Sequence, residues 1–209
     1  MTEKKLDVSD AYALETPEDN LKFYADWAEQ YDSRFAIASD YVFPQRVAEV
    51  FAERGGGGPV LDAGAGTGLV AEAIRRLCDV ALDALDLSAE MLAVAREKDI
   101  YRHLIEADMT RVLPIEDARY AGIVSAGTFT HGHVGPDAFD ELMRVAASGA
   151  LFVLTIKAEL FRTKGFDAKL EALAPKISDL DVREVQVYGD GADSAHAEDK
   201  GLIVSFVRS

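Results

Sequence analysis

The sequence is poor in the features of secreted, zinc-binding and membrane-spanning proteins. Cys78 is the single cysteine, so an intramolecular disulfide and a cysteine-rich zinc site are excluded, and the chain fits a reducing compartment. No apolar run reaches the roughly 18 residues that a membrane-spanning helix needs. Residues 1–20 are polar and mixed in charge, without the apolar stretch of a signal peptide. These features predict a cytoplasmic protein without a membrane span.

Positive charge is also scarce. The chain has 22 Lys and Arg residues against 37 Asp and Glu residues, a formal net charge of −15. A negative field of this size repels nucleic-acid phosphates and anionic membrane surfaces. We therefore expect neither nucleic acid nor a membrane as a partner.

The length of the chain predicts one domain. With about 150 residues per domain, its 209 residues suffice for a single domain with short additions. Residues 1–16 lack apolar periodicity, and we expect them to be flexible. Thr16 and Pro17 are typical of a helix start, so the sequence predicts one domain over 17–209 that begins with a helix.

An alternation of short apolar runs and amphipathic segments follows a second predicted helix at 43–54. This alternation indicates a parallel sheet with crossover helices. Strands are predicted at 59–63, 80–87, 101–106, 120–126 and 149–156. Helices are predicted at 67–78, 89–98, 136–147 and 159–174. The segments 181–188 and 201–208 alternate like a terminal β-hairpin at the sheet edge.

A glycine-rich turn follows the first predicted strand, within the sequence VLDAGAGTGLV of residues 60–70. Glycines permit a tight turn and let a ligand contact the main chain, and the next helix presents unpaired N–H groups. Leu69 occupies the third glycine position of the dinucleotide-binding pattern, which argues against a nicotinamide oxidoreductase. The phosphate-binding P-loop pattern is missing as well. Asp62, two residues before Gly64, favours a cationic ligand over a pyrophosphate.

Two further acids follow the next two predicted strands. Asp86 lies 22 residues after Gly64, close to the separation at which an acid accepts both ribose hydroxyls in a βαβ unit. Ser88 is a candidate N-cap of the next helix. Asp108 closes the third strand. Because ligands bind at the carboxyl ends of parallel strands, we expect Asp62, Asp86 and Asp108 to converge on one crevice.

The ordered motifs VLDAGAGTG, ALDLSAEML, IEADM and YAGIVSAGTFTH resemble those of a class I S-adenosylmethionine-dependent methyltransferase. More narrowly, the chain resembles the methyltransferase-like proteins of the Williams-Beuren chromosomal region. The resemblance covers about residues 20 to 207. It implies a doubly wound, Rossmann-like α/β fold with a seven-stranded, mostly parallel sheet of order 3-2-1-4-5-7-6. The last strand would be antiparallel, and an N-terminal helical cover would lie over the crevice.

The resemblance also implies S-adenosylmethionine as cofactor and assigns roles to individual residues. Contacts to its methionine part are implied for Tyr31, Asp62, Ala63, Gly64, Gly66, Ser125 and Ala126. Contacts to its ribose and adenine are implied for Asp86, Leu87, Met91, Asp108 and Met109. The chain has Ala65 where many relatives have cysteine, a small change.

Methyl transfer from a sulfonium needs alignment and water exclusion more than special side chains, so the acceptor leaves little trace in the sequence. The loop after the fourth strand differs from the Asn/Asp-Pro-Pro-Tyr/Phe motif of enzymes that methylate planar nitrogens, which disfavours amino-group methylation of DNA. A small molecule is the predicted acceptor, and a protein substrate stays possible. His131 in this loop is the candidate general base. His131 and His133 together do not predict a metal site, because the sequence offers no third ligand near them. A protein that binds the cofactor without catalysis is the alternative.

Overall fold

The structure, a computed structural model, describes residues 28, 31, 40–129, 134–189 and 199–209. The predicted flexible segment 1–16 and most of the predicted N-terminal cover lie outside the described residues. Of that cover, Ala28 is helical and buried, and Tyr31 is partly buried. In the part of the chain that is described, no helix is long and apolar enough to cross a membrane.

A seven-stranded sheet forms the centre of the molecule. Its strands are β1 (Val60–Ala63), β2 (Leu82–Asp86), β3 (His103–Glu106), β4 (Tyr120–Phe129), β5 (Ala146–Lys157), β6 (Ile177–Gln186) and β7 (Lys200–Arg208). Their order across the sheet is β3-β2-β1-β4-β5-β7-β6. The first five strands pair in parallel, whereas β7 runs antiparallel to both of its neighbours. The predicted fold class, strand order and antiparallel last strand are confirmed.

The helices follow the predicted alternation with one exception. They are α1 (Phe43–Glu53), α2 (Leu69–Leu77), α3 (Ala89–Glu97), α4 (Ala138–Val145), α5 (Ala158–Thr163) and α6 (Phe166–Leu173). The single helix predicted over 159–174 is wrong, because Gly165 separates α5 from α6. Its φ is +79°, a left-handed conformation that glycine adopts without the steric penalty of a side chain.

The helices pack on both faces of the sheet and bury two apolar clusters. On one face, Phe139 of α4 and Phe166 of α6 pack edge-on against Phe129 of β4, with ring centroids 5.4 and 5.8 Å from it. On the other face, Phe51 of α1 and Ile74 of α2 belong to a second cluster. Burial on both faces explains why the central strands are nearly continuous apolar runs.

The strand order reverses beside β1, which determines where a ligand can bind. From β1 the chain continues outward to β2 and β3, then returns to place β4 on the other side of β1. The loops that leave the carboxyl ends of β1 and β4 therefore diverge and leave a crevice.

A buried carboxylate near the opposite, amino-terminal end of the sheet has a structural role. Asp83 of β2 is fully buried and accepts hydrogen bonds from Arg102 Nε and Nη2, both at 3.0 Å. The hydroxyl of Tyr120, the first residue of β4, donates to Asp83 Oδ2 at 3.0 Å. This cluster joins β2 to β4 across β1.

Candidate functional site

A cavity of about 220 Å³ opens at the carboxyl ends of β1, β2 and β4. Its lining includes the glycine turn after β1, the end of β2, the loop after β3 and the end of β4. Tyr41 and Pro44 contribute from the start of α1. The cavity therefore occupies the crevice that the reversal of strand order creates.

The glycine turn has the backbone conformation that its sequence predicts. Gly64, Gly66 and Gly68 have φ values of +74°, +53° and +94°, which L-residues with side chains rarely adopt. A Cβ at Gly64 would lie 2.0 Å from Thr128 Oγ1, so a side chain is also excluded by space. The amide of Gly68 donates to Ala65 O at 2.8 Å and closes the turn before α2.

Asp86 ties the glycine turn to the start of α3. Its Oδ2 accepts from the Gly66 amide at 2.7 Å and its Oδ1 accepts from the Ser88 amide at 2.9 Å. The carboxylate is half-buried and lines the cavity. Loss of water around it raises its pKa, and the hydrogen bonds from the Ser88 and Gly66 amides offset part of that effect. Asp86 can thus present a negatively charged acceptor to hydroxyl groups of a ligand.

Asp62 lies behind the turn and is fully buried. Its Oδ2 accepts a hydrogen bond from the Tyr101 hydroxyl at 2.6 Å, whereas Oδ1 has no hydrogen-bond partner among the described residues. Burial raises the pKa of Asp62 to about 7, although the Tyr101 hydroxyl lowers it; the charge of Asp86 raises it further and the Ala71 amide dipole lowers it. Asp62 therefore titrates near neutral pH.

Strand β4 supports the turn from the other side. The hydroxyl of Ser125 donates to Ala63 O at 2.6 Å, and that of Thr128 donates to the same oxygen at 3.2 Å. Ser125 and Ala63 are buried beneath the cavity floor, whereas Ala126 and Thr128 line the cavity. The two hydroxyls hold the end of β1 against β4.

Asp108 stabilises the conformation of the loop after β3. Asp108 Oδ1 accepts from the amide and the hydroxyl of Thr110, at 2.8 and 2.6 Å, and Oδ2 lies 3.3 Å from Arg111 Nε. Partial burial raises the pKa of Asp108, but the Thr110 hydrogen bonds and the Arg111 charge lower it more, so the net change is downward. Asp108 is an ionised acceptor at the cavity wall.

Apolar side chains complete that wall. Met91 and Met109 are 3% and 6% exposed and line the cavity together with Leu87. The predicted N-cap is present, since Ser88 Oγ accepts from the Met91 amide at 3.2 Å and begins α3. These side chains offer an apolar surface beside the carboxylates.

The structure brings most of the predicted site residues to the cavity. Nine of them line it: Tyr31, Gly64, Gly66, Asp86, Leu87, Met91, Asp108, Met109 and Ala126. Three others, Asp62, Ala63 and Ser125, lie behind the lining as its support. His131 lies outside the described residues.

Sequence reasoning did not single out several lining residues. Tyr41, Pro44, Thr128 and Val134 line the cavity but belong to no spaced pattern. Thr67 and Leu69 also line the cavity. They belong to the glycine motif and lie beside the start of α2, a position from which they could have been predicted as lining residues. Tyr101, which bonds Asp62, carried no sequence signal because its contact spans 39 positions of the chain.

The residues present fit S-adenosylmethionine. A half-buried carboxylate, two buried methionine side chains and a main-chain turn suit a ribose, an adenine ring and an amino-acid tail respectively. Asp62, one oxygen of which has no partner in the part of the chain that is described, adds buried negative charge behind the turn when it is ionised, which favours a cationic ligand. Within the described ranges, no group of three or more His, Cys, Asp and Glu side chains could hold a metal ion.

Comparisons with known proteins agree with this geometry. Residues 61–154 match the methyltransferase domain family. Human methyltransferase-like protein 27 is 28% identical over 162 residues, which cover 75% of this chain and 65% of the human protein. The chain thus spans 65% of the length of that relative.

Two solved structures share the fold. The S-adenosylmethionine-dependent methyltransferase of Aquifex aeolicus superposes with a TM-score of 0.60 at 20% identity, covering 88% of this chain and 98% of that chain. The 1,6-didemethyltoxoflavin-N1-methyltransferase of Burkholderia thailandensis, with bound 1,6-didemethyltoxoflavin and S-adenosylhomocysteine, has a TM-score of 0.61 at 15% identity, covering 94% and 92%. Residues 61–154 thus resemble a methyltransferase domain, and the two solved structures, at 20% and 15% identity, show that this chain shares their fold.

Proposed function

We propose that this protein transfers a methyl group from S-adenosylmethionine to a small-molecule acceptor. The observation that carries the proposal is one cavity lined both by the glycine turn and Asp86 and by Tyr41, Pro44 and Thr128 on the opposite side. The strand order separates these two groups, because Asp86 ends β2 while Thr128 lies in β4. Cofactor and acceptor would therefore meet over the end of β1.

In this proposal the residues toward β2 and β3 hold the cofactor. Asp86 would accept from the ribose hydroxyls, Met91 and Met109 would cover the adenine, and the glycine turn would lie beside the methionine part. When bound, S-adenosylmethionine supplies an electrophilic methyl group on a positively charged sulfur. The chain contributes alignment and exclusion of water, which account for much of the rate enhancement of bimolecular reactions.

The acceptor is proposed to be a small molecule and not a nucleic acid. The net charge of −15 opposes binding of a phosphate backbone. The Burkholderia relative, whose structure contains a small-molecule ligand beside S-adenosylhomocysteine, supports the same reading by analogy of fold. Residues 17–209 are proposed to act as one cytoplasmic domain behind a flexible segment 1–16.

His131 is the proposed general base. In the sequence it lies between Thr128 and Val134, both of which line the cavity. His131→Ala should lower kcat by about 100-fold or more, as for loss of a general base, with the Kd for S-adenosylmethionine unchanged. His133→Ala is the matched control in the same loop. Equal activity of the two variants would contradict the assignment.

The decisive experiment has two stages. Calorimetry with S-adenosylmethionine and with NAD should give binding of the first alone. The protein is then incubated with methyl-labelled S-adenosylmethionine and a metabolite extract, and labelled products are separated by mass spectrometry. A labelled small molecule supports the proposal. Cofactor binding without any labelled product would instead identify a cofactor-binding protein without catalysis.

A further inference from the structure

Tyr101 contacts the glycine turn from the side away from the cavity. It precedes β3 and is not among the described residues that line the cavity. Its hydroxyl donates to Asp62 Oδ2 at 2.6 Å. A Cβ added at Gly68 would lie 3.0 Å from Cε2 of the Tyr101 ring, and the ring also packs against the cluster that contains Ala65. One side chain thus bonds Asp62, at the strand end of the turn, and lies close to Gly68, at its helix end.

These contacts complement those of the neighbouring strands. Asp86 of β2 holds the amide of Gly66, and Ser125 of β4 holds the carbonyl of Ala63. Both act on the middle or the β4 side of the turn. Tyr101 acts on Asp62 and Gly68, the residues through which the turn joins β1 and α2. Because Gly68 is the N-cap of α2 without a side-chain cap, the ring limits the space into which this end of the turn can move.

The Tyr101 hydroxyl also stabilises the ionised form of Asp62, against the larger effect of burial. It donates to a fully buried carboxylate whose other oxygen is unpartnered among the described residues. Asp86 at the end of β2 is the acid that repels Asp62, and Glu72 of α2, bonded to Lys98 at 2.8 Å, faces Tyr101. A hydrogen bond to the ionised form favours that form, so Tyr101 stabilises the carboxylate in an acidic neighbourhood.

We propose that Tyr101 is a positioning residue of this site, which holds the glycine turn in its ligand-receiving conformation through Asp62 and Gly68. The inference rests on the proposed function only in that the ligand is S-adenosylmethionine. Since that ligand carries a positive sulfur, ionised Asp62 favours its binding, and affinity should rise as the pH passes through the Asp62 transition near 7.

The test is Tyr101→Phe, which removes the hydroxyl and keeps the ring. Calorimetry with S-adenosylmethionine is run on the full chain from about pH 5 to about pH 9. Above the transition we expect the Kd to increase about three- to tenfold, the range for one net hydrogen bond. The pH at which affinity changes should move upward, because the lost bond had stabilised the carboxylate.

Two further variants separate this role from general stabilisation. Tyr120→Phe removes another buried hydroxyl bonded to an aspartate, Asp83 at the other end of the sheet, and should lower stability without changing the Kd or its pH profile. Asp62→Asn keeps an oxygen that can accept from Tyr101 but cannot ionise. In this variant the affinity change near pH 7 should be absent.

A folded Tyr101→Phe protein with the Kd and pH profile of the wild type would overturn the inference. Should that variant not fold, an Asp62→Asn protein that retains the transition near pH 7 would overturn it instead. Failure of the wild type to bind S-adenosylmethionine would overturn the proposed function as well. Binding without methyl transfer would contradict the proposed function alone and leave the role of Tyr101 standing.

Discussion

Replacing Asp86 by asparagine tests the central carboxylate of the site. The substitution keeps the size of the side chain and removes its charge. Asp86 now accepts from both Gly66 and Ser88, and an amide can accept at one oxygen only. One of the two backbone N–H groups would therefore face the new NH2 group, so the turn loses a contact at the same time as the cavity loses a negative charge.

The magnitude follows from the kind of hydrogen bond that is lost. Hydrogen bonds to charged groups contribute about 1.5 to 3 kcal/mol, against about 1 kcal/mol for neutral ones. The Kd for S-adenosylmethionine should accordingly increase by roughly ten- to a hundredfold. Calorimetry at neutral pH measures this change directly, and thermal unfolding of the same sample reports any loss of stability.

Asp83→Asn is the matched control on the same strand. Asp83 is fully buried, is bonded to Arg102 and Tyr120, and is not among the residues that line the cavity. Its substitution should lower the melting temperature more than Asp86→Asn does, with little effect on the Kd. An Asp86→Asn protein that binds S-adenosylmethionine as tightly as the wild type would remove Asp86 from the ligand site and refute the reasoning.

Two other predictions concern stability. The pKa of Asp62 is raised from 3.8 to about 7 in the folded protein, so its stabilising contribution is complete below its ordinary pKa and is lost as the pH rises through about 7. Asp62→Asn should therefore be more stable than the wild type above pH 7, by up to about 4 kcal/mol, and the gap in urea unfolding should close on acidification; a gap independent of pH would contradict the assignment. Gly64→Ala should lower the free energy of unfolding by at least about 2 kcal/mol, because the new Cβ would meet Thr128. Gly66→Ala, whose Cβ would have open space around it, should lower it by about 1 kcal/mol. Equal losses of stability in urea unfolding would contradict a steric effect at Gly64.

Local patterns predicted much of this molecule correctly because they act over short stretches of chain. The spacing of Gly64, Gly66 and Gly68 indicates a backbone turn with positive φ, and all three residues have positive φ values. Ser88 was predicted to begin a helix, and it is the N-cap of α3. The helix predicted over 159–174 failed for a local reason as well, since Gly165 ends α5 in the left-handed conformation.

The strand order and several of the nine predicted lining residues came from resemblance to a family. The alternation of elements indicates layers, but it does not by itself order the strands. His131 and the N-terminal cover stay predictions, because they lie outside the described residues.

The sequence by itself determined the parallel sheet, the glycine turn and the acids that follow the strands, since each depends on neighbouring residues in the chain. Only the tertiary structure separated the acids by role. Asp86 faces the cavity, whereas Asp62 is buried behind it and bonded to Tyr101. The physical reason is that burial and hydrogen bonding depend on which distant segments pack together, and the contact of Tyr101 with Asp62 exists only because β3 lies beyond β2 in the folded sheet.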